Sequence, residues 1–447
     1  MNENLLVRAY NVGFGDCIYV QIPDQNRLFT MLIDCGTSAA FDEELVDVLK
    51  DIKKILPNEG SKKRLDLLVV THPHADHIKG FDPKYFRDIK INHIWLSCFM
   101  DKKHPLAEKS HSLQGLAEKA ANSLISLGFD QKAGLYKFLR NTLCNDSALE
   151  ALHKTLPKKN KIKTLYISRD LADPNKKLIT KYKKRKHKLS YSRSTTCYAD
   201  FNEADTCIRV LSPEWDIDGY YLGKEGVDFP VNFNSIMSLY DSNGKSKSKK
   251  SKASKRINVP ANISKRDFRV LNSSLFYSGL SFVQSDDDLK NNTSVVLLVE
   301  WRGRRLLFAG DAEFKGKKVT KGRRNMNWDV MLEVLKNEDH LAKPLDFLKV
   351  GHHGSVNGTP FVDRKNKPQT ILDTLLPENK EAKVVVSTIA GKHGEDKEVP
   401  YIELMKELGN RCSNSCTYPE HPEILQPQRT DLEGQPWIDI EITPVSN

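Results

Sequence analysis

The stretch from His72 to His77 constrains the fold of this chain more than any other, because it places four potential metal ligands within six residues. It reads His-Pro-His-Ala-Asp-His and follows an apolar run, residues 65–70, with the length and composition of a buried strand. Pro73 keeps the first two histidines out of a helix, so their imidazoles can converge from an extended turn. A polar surface loop with chance histidines is the alternative, but the chain has only 13 histidines in 447 residues. The stretch therefore predicts a site for zinc, manganese or iron.

The pattern His-x-His-x-Asp-His resembles the metal loop of the metallo-β-lactamase superfamily of metal-dependent hydrolases. Other segments fit the resemblance in the same order and at predicted strand ends, namely Asp34, Asp311 and the pair His352-His353. The turn at residues 11–16, Asn-Val-Gly-Phe-Gly-Asp, is similar to the Asp-Val-Gly-Gln-Gly-Asp turn of ComEC-type DNA-uptake hydrolases. The sequence is thus most similar to the ComEC-type branch of this superfamily.

The resemblance implies an α/β fold, the αββα sandwich of the superfamily. We expect one hydrolase domain, residues 1–447, with a helical and basic insertion at 101–204 and a second insertion at 214–288. The second insertion contains the Lys/Ser-rich segment 241–257, whose composition does not support a packed core. The parts of the chain that the resemblance covers are residues 5–100, 205–213 and 290–442.

In the superfamily these motifs bind two divalent metal ions, and the resemblance carries that arrangement to the matching residues here. An aspartate in the place of Asp311 bridges both ions, since each carboxylate oxygen can bind one of them. Asp34 matches an aspartate that orients the metal loop by hydrogen bonds, although a strand-end aspartate can also be a simple turn former. The implied ligands are His72, His74 and Asp311 for the first ion, and Asp76, His77, Asp311 and one of His352 and His353 for the second.

Three residues are candidates for direct roles in catalysis. Adjacent side chains at a strand end diverge, so one of His352 and His353 is expected to bind metal and the other to touch substrate; His353 is favoured slightly as the ligand. Asp76 could orient the attacking water when it is not strongly bound to metal. His393 lies where ComEC-type hydrolases have a histidine beside the site, and it is either a proton donor or phosphate contact, or an ordinary surface histidine.

One departure from the superfamily pattern concerns the first metal site. Most members supply a further histidine between the second and fourth motifs, whereas the matching place here, at the start of the predicted strand 291–300, holds Asn291 and Asn292. The first site is therefore expected to bind its ion more weakly, or only together with substrate. Possible replacements, none in a recognisable strand-end context, are His93, His104, His111, His153 and His187.

The charge of the chain favours an anionic partner. The formal net charge is +11, and basic residues concentrate at 154–190 and in the Lys/Ser-rich segment. Such runs are either solvated surface or contacts to a phosphate backbone. The candidates for substrate binding are Lys183, Lys184, Arg185 and Lys186.

The sequence also indicates a cytoplasmic protein. No basic and apolar leader opens the chain, and no run approaches 18 apolar residues. The eight cysteines are scattered without Cys-x-x-Cys pairs, which favours free thiols in a reducing compartment. No residue indicates a protein partner.

The resemblance and the charge together predict a two-metal phosphodiesterase or nuclease that acts on nucleic acid through a metal-bound hydroxide, with zinc favoured and manganese possible. One alternative keeps the site but changes the substrate to a small phosphodiester, a cyclic nucleotide, a thioester or a lactam. Another is a non-catalytic module whose metal is structural.

Overall fold

The structure is a computed structural model, and every structural statement below concerns the part of the chain that it describes. The basic residues 183–186, His187, His393 and the segment 241–257 lie outside that part. The described residues are 3–25, 27–37, 42–128, 133–155, 163–169, 201–202, 206–223, 264–360, 371–378, 381–391, 399–432 and 434–445.

Sixteen strands and nine α-helices are described in these residues. The strands are Leu5–Tyr10 (β1), Ile18–Asp24 (β2), Arg27–Ile33 (β3), Asn58–Glu59 (β4), Lys62–Val70 (β5), Ile89–Ser97 (β6), Lys163–Ile167 (β7), Cys207–Ser212 (β8), Val296–Trp301 (β9), Arg304–Phe308 (β10), Phe347–Lys349 (β11), Lys383–Val386 (β12), Cys416–Tyr418 (β13), His421–Gln426 (β14), Gln428–Arg429 (β15) and Trp437–Ile442 (β16). The helices are Asp42–Ile55 (α1), Ala75–Ile78 (α2), Pro83–Phe86 (α3), Glu108–Ser126 (α4), Ala133–Thr155 (α5), Lys265–Asn292 (α6), Asn327–Val334 (α7), Ile371–Leu375 (α8) and Ile402–Gly409 (α9).

Two mixed sheets form the centre of the fold. The first has eight strands in the order β16-β1-β2-β3-β5-β6-β7, with β4 paired to β5, and the second has six in the order β15-β12-β11-β10-β9-β8. In each sheet, antiparallel strands give way to a parallel set, which is β3-β5-β6-β7 in the first and β10-β11-β12-β15 in the second. Loops that follow parallel strands lie at the same edge of a sheet, so the chain after β3, β5, β10, β11 and β12 can supply one common site.

The sheets face each other and carry helices on their outer sides, which gives the four layers of an αββα sandwich. The inner faces share one apolar core, which includes Val20, Val69 and Leu297. The first sheet packs outward against α1 and α5, and the second against α7, α8 and α9. This mixed α/β architecture is the one expected from the sequence. It results from strands that are apolar on both faces, as Leu65–Val70 is, and therefore need cover on both sides.

Helices α4 and α6 build a further apolar cluster outside the sandwich. Ala117, Ala120 and Leu124 of α4 pack with Phe282 and Val283 of α6. Helix α4 falls in the expected insertion 101–204, whereas α6 begins in the expected insertion 214–288 and ends beyond it at Asn292. The boundaries of both insertions stay predictions. Strand β7 also falls in the first of these ranges, and it extends the first sheet beside β6.

Two expectations from the sequence were wrong. Residues 291–292 are the end of helix α6 and not the start of a strand, because Thr293 caps the helix and β9 begins only at Val296. Cys207 is disulfide-bonded, whereas Cys17, Cys35, Cys98, Cys144, Cys412 and Cys416 are free thiols as predicted.

Candidate metal centre

The loop that carries the histidine cluster begins where β5 ends and turns directly into the one-turn helix α2. His74 is the last extended residue before this helix, with ψ of 146°, and Asp76 and His77 lie within it. His72 and His77 are fully buried, and His74 is 8% exposed. The change from strand to helix at Ala75 brings these side chains to one side of the loop, as the proline between the first two histidines predicted.

Close contacts from two neighbouring loops fix the backbone of this loop. The amide of Asp16 donates to the carbonyl of Asp76 at 3.0 Å, and the amide of Cys35 donates to the carbonyl of His77 at 2.8 Å. A Cβ atom added to Gly36 would lie 2.3 Å from the Asp76 carbonyl carbon, so only glycine allows this approach. The positions of the side chains of the loop are therefore set by the main chain of the first sheet.

The second sheet supplies the opposite side of the site. Asp311 follows β10, and the short 3₁₀ turn His352–Gly354 follows β11. Both histidines of the turn have positive φ, 45° for His352 and 53° for His353, a conformation that is uncommon for residues other than glycine. The turn buries His353 and leaves the side chain of His352 26% exposed.

Three groups of side chains could each hold a cation. One of them, formed by Asp16, Asp34 and His77, lies entirely on the side of the first sheet, and the other two meet at Asp311. The first of these two joins both sheets. Its ligand atoms lie within 4.8 Å of one another, and its members are His72, His74 and Asp311. Nε2 of His72 lies 3.0 Å from Nδ1 of His74 and 3.7 Å from Oδ2 of Asp311. Ligands of a tetrahedral zinc ion lie about 3.3 Å apart, since each is about 2.0–2.1 Å from the metal. These separations fit one ion.

The second group adjoins the first at Asp311. Its members are Asp76, His77 and His353. Nε2 of His353 lies 3.4 Å from Oδ2 of Asp76 and 3.7 Å from Oδ2 of Asp311, and Nε2 of His77 lies 3.1 Å from that same oxygen of Asp311. Within the described residues, buried atoms without a hydrogen-bond partner include Nε2 of His77, Nε2 of His353 and Oδ1 of Asp311. Buried polar atoms of this kind need a partner, and a divalent cation between them would supply it.

In three of the histidines, Nδ1 lies within hydrogen-bonding distance of an oxygen atom. Nδ1 of His72 lies 3.0 Å from the hydroxyl of Thr71, Nδ1 of His77 lies 2.8 Å from Oδ2 of Asp34, and Nδ1 of His353 lies 2.9 Å from the backbone oxygen of Ser387. A proton held at Nδ1 leaves the lone pair of Nε2 free, and Nε2 is the atom that faces Asp311 in each case. Strand ends β3, β5 and β12 thus orient these three rings.

The histidines and aspartates of the site shift the pKa values of one another. Burial would lower the pKa of His77, but Asp311 and Asp34 raise it well above the ordinary value. Burial likewise opposes the protonated form of His353, whose pKa is raised by Asp311 and Asp76. Burial would raise the pKa of Asp311, yet His77 and His353 lower it far below the usual range. The centre therefore favours an ionised Asp311 beside protonated imidazoles, which is the charge pattern that divalent cations would satisfy.

A buried ion pair lies behind the second group. The ammonium of Lys349, 2% exposed, contacts the carboxylate of Asp16, and that carboxylate lies 3.9 Å from Nδ1 of His77. Lysine and aspartate are rarely buried unless they are paired. The pair adds no net charge to the centre and fixes the turn that holds the backbone of Asp76.

The exposed histidine of the 3₁₀ turn belongs to a separate polar cluster beside the metal ligands. Nδ1 of His352 lies 3.6 Å from Oε1 of Glu313, and Nε2 lies 3.4 Å from the amide nitrogen of Asn291. Burial raises the pKa of Glu313, which accepts hydrogen bonds from the amides of Asn291 at 3.1 Å and Asn292 at 2.6 Å. His352 therefore faces the open side of the centre with a buried carboxylate behind it.

No replacement histidine lies in the position of the missing third-motif ligand among the described residues. The three metal-binding groups found there contain none of His93, His104, His111 and His153. His104 is buried against Trp215 with ring centroids 3.8 Å apart, and Nε2 of His111 bonds to the oxygen of Phe99 at 2.8 Å. Both contacts are structural.

Sequence reasoning missed four polar residues of the site, which are Asp16, Asp287, Glu313 and Lys349. Asp16 closes the glycine-containing turn and Glu313 follows Asp311 closely, so their neighbourhood in the chain was a usable signal. Lys349 sits in an apolar strand, where an isolated lysine indicates a buried partner. Asp287 lies in a helical segment with no link in the sequence to the metal loop, and the structure brings it to 3.2 Å from His74.

One comparison with known proteins finds a similarity in the first part of the chain. Residues 10–83, which include the whole histidine cluster, match the model of the metallo-beta-lactamase superfamily. A search among proteins of curated function found no match. The matched superfamily indicates a hydrolase that binds divalent metal ions, and the two groups of histidines and aspartates are candidate sites for them. None of the helices in the described part of the chain combines the length and apolarity that a membrane crossing requires.

Proposed function

We propose that this protein is a two-metal phosphodiesterase of the metallo-β-lactamase fold, and that its substrate is nucleic acid. One observation carries the proposal. Side chains from the ends of three strands, β5, β10 and β11, converge on two adjacent groups that meet at the Asp311 carboxylate. Two cations held this close form the arrangement that clamps a phosphodiester in an in-line displacement.

The residues present fit such a pair of ions. His72, His74 and Asp311 would hold the first ion, and Asp76, His77, His353 and Asp311 the second. When bound, divalent ions would supply Lewis acidity to the phosphoryl oxygens and lower the pKa of a bound water. Zinc suits a donor set that is rich in imidazole, and manganese is compatible with the carboxylates.

The remaining residues of the site orient the ligands, exclude bulk water or transfer protons. Asp34 holds the proton of His77 at Nδ1, and the buried walls of the two sheets exclude bulk water from that side. Asp76, whose side chain is 23% exposed, can orient the attacking water. His352 faces the open side, with its Nδ1 3.6 Å from Oε1 of Glu313, and can donate a proton to the leaving oxygen.

Two observations support a polymeric substrate. The net charge of +11 favours an anionic partner, and the basic segments of the sequence would neutralise backbone phosphates. The turn at residues 11–16 resembles that of ComEC-type DNA-uptake hydrolases, for which DNA is the substrate class. A small phosphodiester, a thioester or a lactam would use the same centre, and the experiment separates these from nucleic acid.

The test is cleavage of labelled single-stranded and double-stranded DNA and RNA, with zinc, manganese and magnesium supplied in turn. The control is Asp311→Asn, which removes the shared carboxylate charge at nearly constant volume. Metal-dependent cleavage by the wild type, absent from the variant, is the expected result. Hydrolysis of bis(p-nitrophenyl) phosphate without cleavage of any polymer would refute nucleic acid as substrate. Full metal occupancy with no hydrolysis of any substrate would refute the enzyme.

A further inference from the structure

Three consecutive aspartates near the end of helix α6 make three different contacts. Asp286 pairs with Lys290 at 2.6 Å, with both side chains 1% exposed, and Asp288 pairs with Arg324 at 2.8 Å on the surface. Between them, Oδ1 of Asp287 lies 3.2 Å from Nε2 of His74, and the Asp287 side chain is 33% exposed. The two flanking aspartates thus pair with basic side chains, whereas Asp287 contacts the metal loop.

The orientation of the His74 ring determines what Asp287 can do. Nδ1 of His74 lies 3.0 Å from Nε2 of His72, so Nδ1 is the atom that faces the first metal group. Nε2 is on the other side of the ring and lies 3.2 Å from Oδ1 of Asp287, close enough to pair with it although the two are not aligned as a regular hydrogen bond. A carboxylate in contact with Nε2 is directed away from an ion that Nδ1 binds. Its effect is to hold the ring proton at Nε2 and to leave the Nδ1 lone pair for the metal.

We propose that Asp287 is a positioning residue for the first metal site, which acts by fixing the tautomer and orientation of His74. His74 then carries its ring proton on Nε2. His72, His77 and His353 have the opposite tautomer, because an oxygen atom holds their ring proton on Nδ1. The proposal rests on the metal binding of the proposed function and is independent of the substrate.

The helix end that carries Asp287 is fixed on several sides. Besides the buried Asp286–Lys290 pair, the amide of Asn292 donates to Glu313 at 2.6 Å, and the Asn292 side-chain oxygen accepts from the amide of Asn327 at 2.7 Å. A carboxylate on a rigid support loses little conformational freedom when it orients a ligand. The first site has only His72, His74 and Asp311 as ligands, so its metal affinity depends strongly on the orientation of each of them.

The experiment measures zinc affinity of the full-length protein by competition with a chelator. Wild type, Asp287→Ala and Asp287→Asn are compared, with Asp288→Ala as the matched control one residue along the same helix. Loss of a carboxylate that orients a metal-binding histidine typically costs 10–100-fold in affinity. We expect Asp287→Ala to weaken one of two zinc sites by that factor, Asp287→Asn to weaken it less because an acceptor remains, and Asp288→Ala to leave both sites unchanged.

A spectroscopic readout separates positioning from a general effect on folding. Two-bond ¹H–¹⁵N spectra of zinc-loaded protein report the tautomer of each histidine, with His74 assigned by the His74→Gln variant. The expected wild-type pattern has the proton of His74 at Nε2 and those of His72, His77 and His353 at Nδ1. A wild-type His74 protonated at Nδ1, or wild-type zinc affinity in Asp287→Ala, would overturn the inference. A wild type that binds no zinc would instead refute the proposed function.

Discussion

Replacing Asp34 by asparagine should change both metal groups through a single atom. Oδ1 of Asp34 accepts from the amide of Thr71 at 2.7 Å, and Oδ2 accepts from the Thr71 hydroxyl at 2.6 Å and from Nδ1 of His77 at 2.8 Å. The Thr71 hydroxyl also contacts Nδ1 of His72 at 3.0 Å. Because that hydroxyl donates to Asp34, it accepts from His72, so Asp34 orients His77 directly and His72 through Thr71.

Asparagine has the same shape but cannot make these contacts. If its oxygen takes the place of Oδ1, its NH₂ faces the Thr71 hydroxyl and Nδ1 of His77. His77 must then carry its proton at Nε2, and the hydroxyl, turned to donate to His72, drives the same change there. If the amide is reversed, its NH₂ opposes the backbone N–H of Thr71. Either arrangement leaves a buried donor without an acceptor or places protons on the nitrogens that face Asp311.

The size of the effect follows from the bonds that are lost. A hydrogen bond to a charged acceptor contributes about 1.5–3 kcal/mol to stability, and one to a neutral acceptor about 0.5–1.5 kcal/mol. Each of the three bonds to Asp34 should therefore lose about 1 kcal/mol, and the free energy of unfolding should fall by about 3 kcal/mol. Zinc affinity should fall 10–100-fold at each of the two groups. Chemical denaturation of the metal-free protein measures the first quantity, and competition with a chelator measures the second.

Asp66 provides a matched control for this substitution. It is buried like Asp34, and its Oδ2 accepts from the amide and hydroxyl of Thr30 at 3.0 and 3.1 Å. Its Oδ1 contacts Asn92 and Arg64 rather than a histidine. Asp66→Asn should therefore lower stability by a similar amount and leave zinc affinity unchanged. The tautomer argument fails if Asp34→Asn keeps wild-type affinity, or if both variants weaken zinc equally.

Three further predictions concern other parts of the molecule. His353→Gln should remove one zinc per chain in elemental analysis, whereas His352→Gln should keep both and lower the rate of hydrolysis; equal zinc loss in the two variants would contradict the assignment. Zinc at 100 times its dissociation constant should raise the free energy of unfolding by about 2.7 kcal/mol for each site, and chelation should reverse this gain, as melting curves with and without chelator would show. Burial, and then the charge of His111, lower the pKa of His104 to about 3, below its unfolded value of about 6.5, so from pH 6.5 downward the unfolded state binds a proton that the folded state does not. Stability should consequently fall by about 2 kcal/mol between pH 7 and pH 5 through this group, and His104→Gln should remove that part of the decline in denaturation curves measured at both pH values.

The elements that the sequence predicted well are those in which local pattern and tertiary role agree. Trp437–Ile442 alternates apolar and polar residues, and this pattern alone predicts strand β16, which lies at the edge of a sheet. The metal loop was predicted because its ligands lie within six residues. The end of helix α6 was not, since Asn291 and Asn292 are polar, precede an apolar strand and have no helical periodicity of their own. What keeps them helical is tertiary, namely their bonds to Glu313.

The same reasoning explains why the sequence did not predict Asp287. It also explains how the first metal site can function without the third-motif histidine. A sequence motif records ligands that are close along the chain, whereas Asp287 is more than two hundred positions from His74. The place where the superfamily has a third-motif histidine is filled here by the end of α6, whose asparagines bind Glu313 and approach His352. The helix end brings Asp287 to His74 and a polar cluster to His352. If the protein acts on a phosphodiester as proposed, the absent ligand would leave one position of the first ion open to the substrate. We therefore expect that restoring a third-motif histidine would not increase activity. Asn291→His should disturb the Glu313 cluster and lower hydrolysis even if it tightens zinc, and an Asn291→His enzyme with higher turnover would show that the open position has no role.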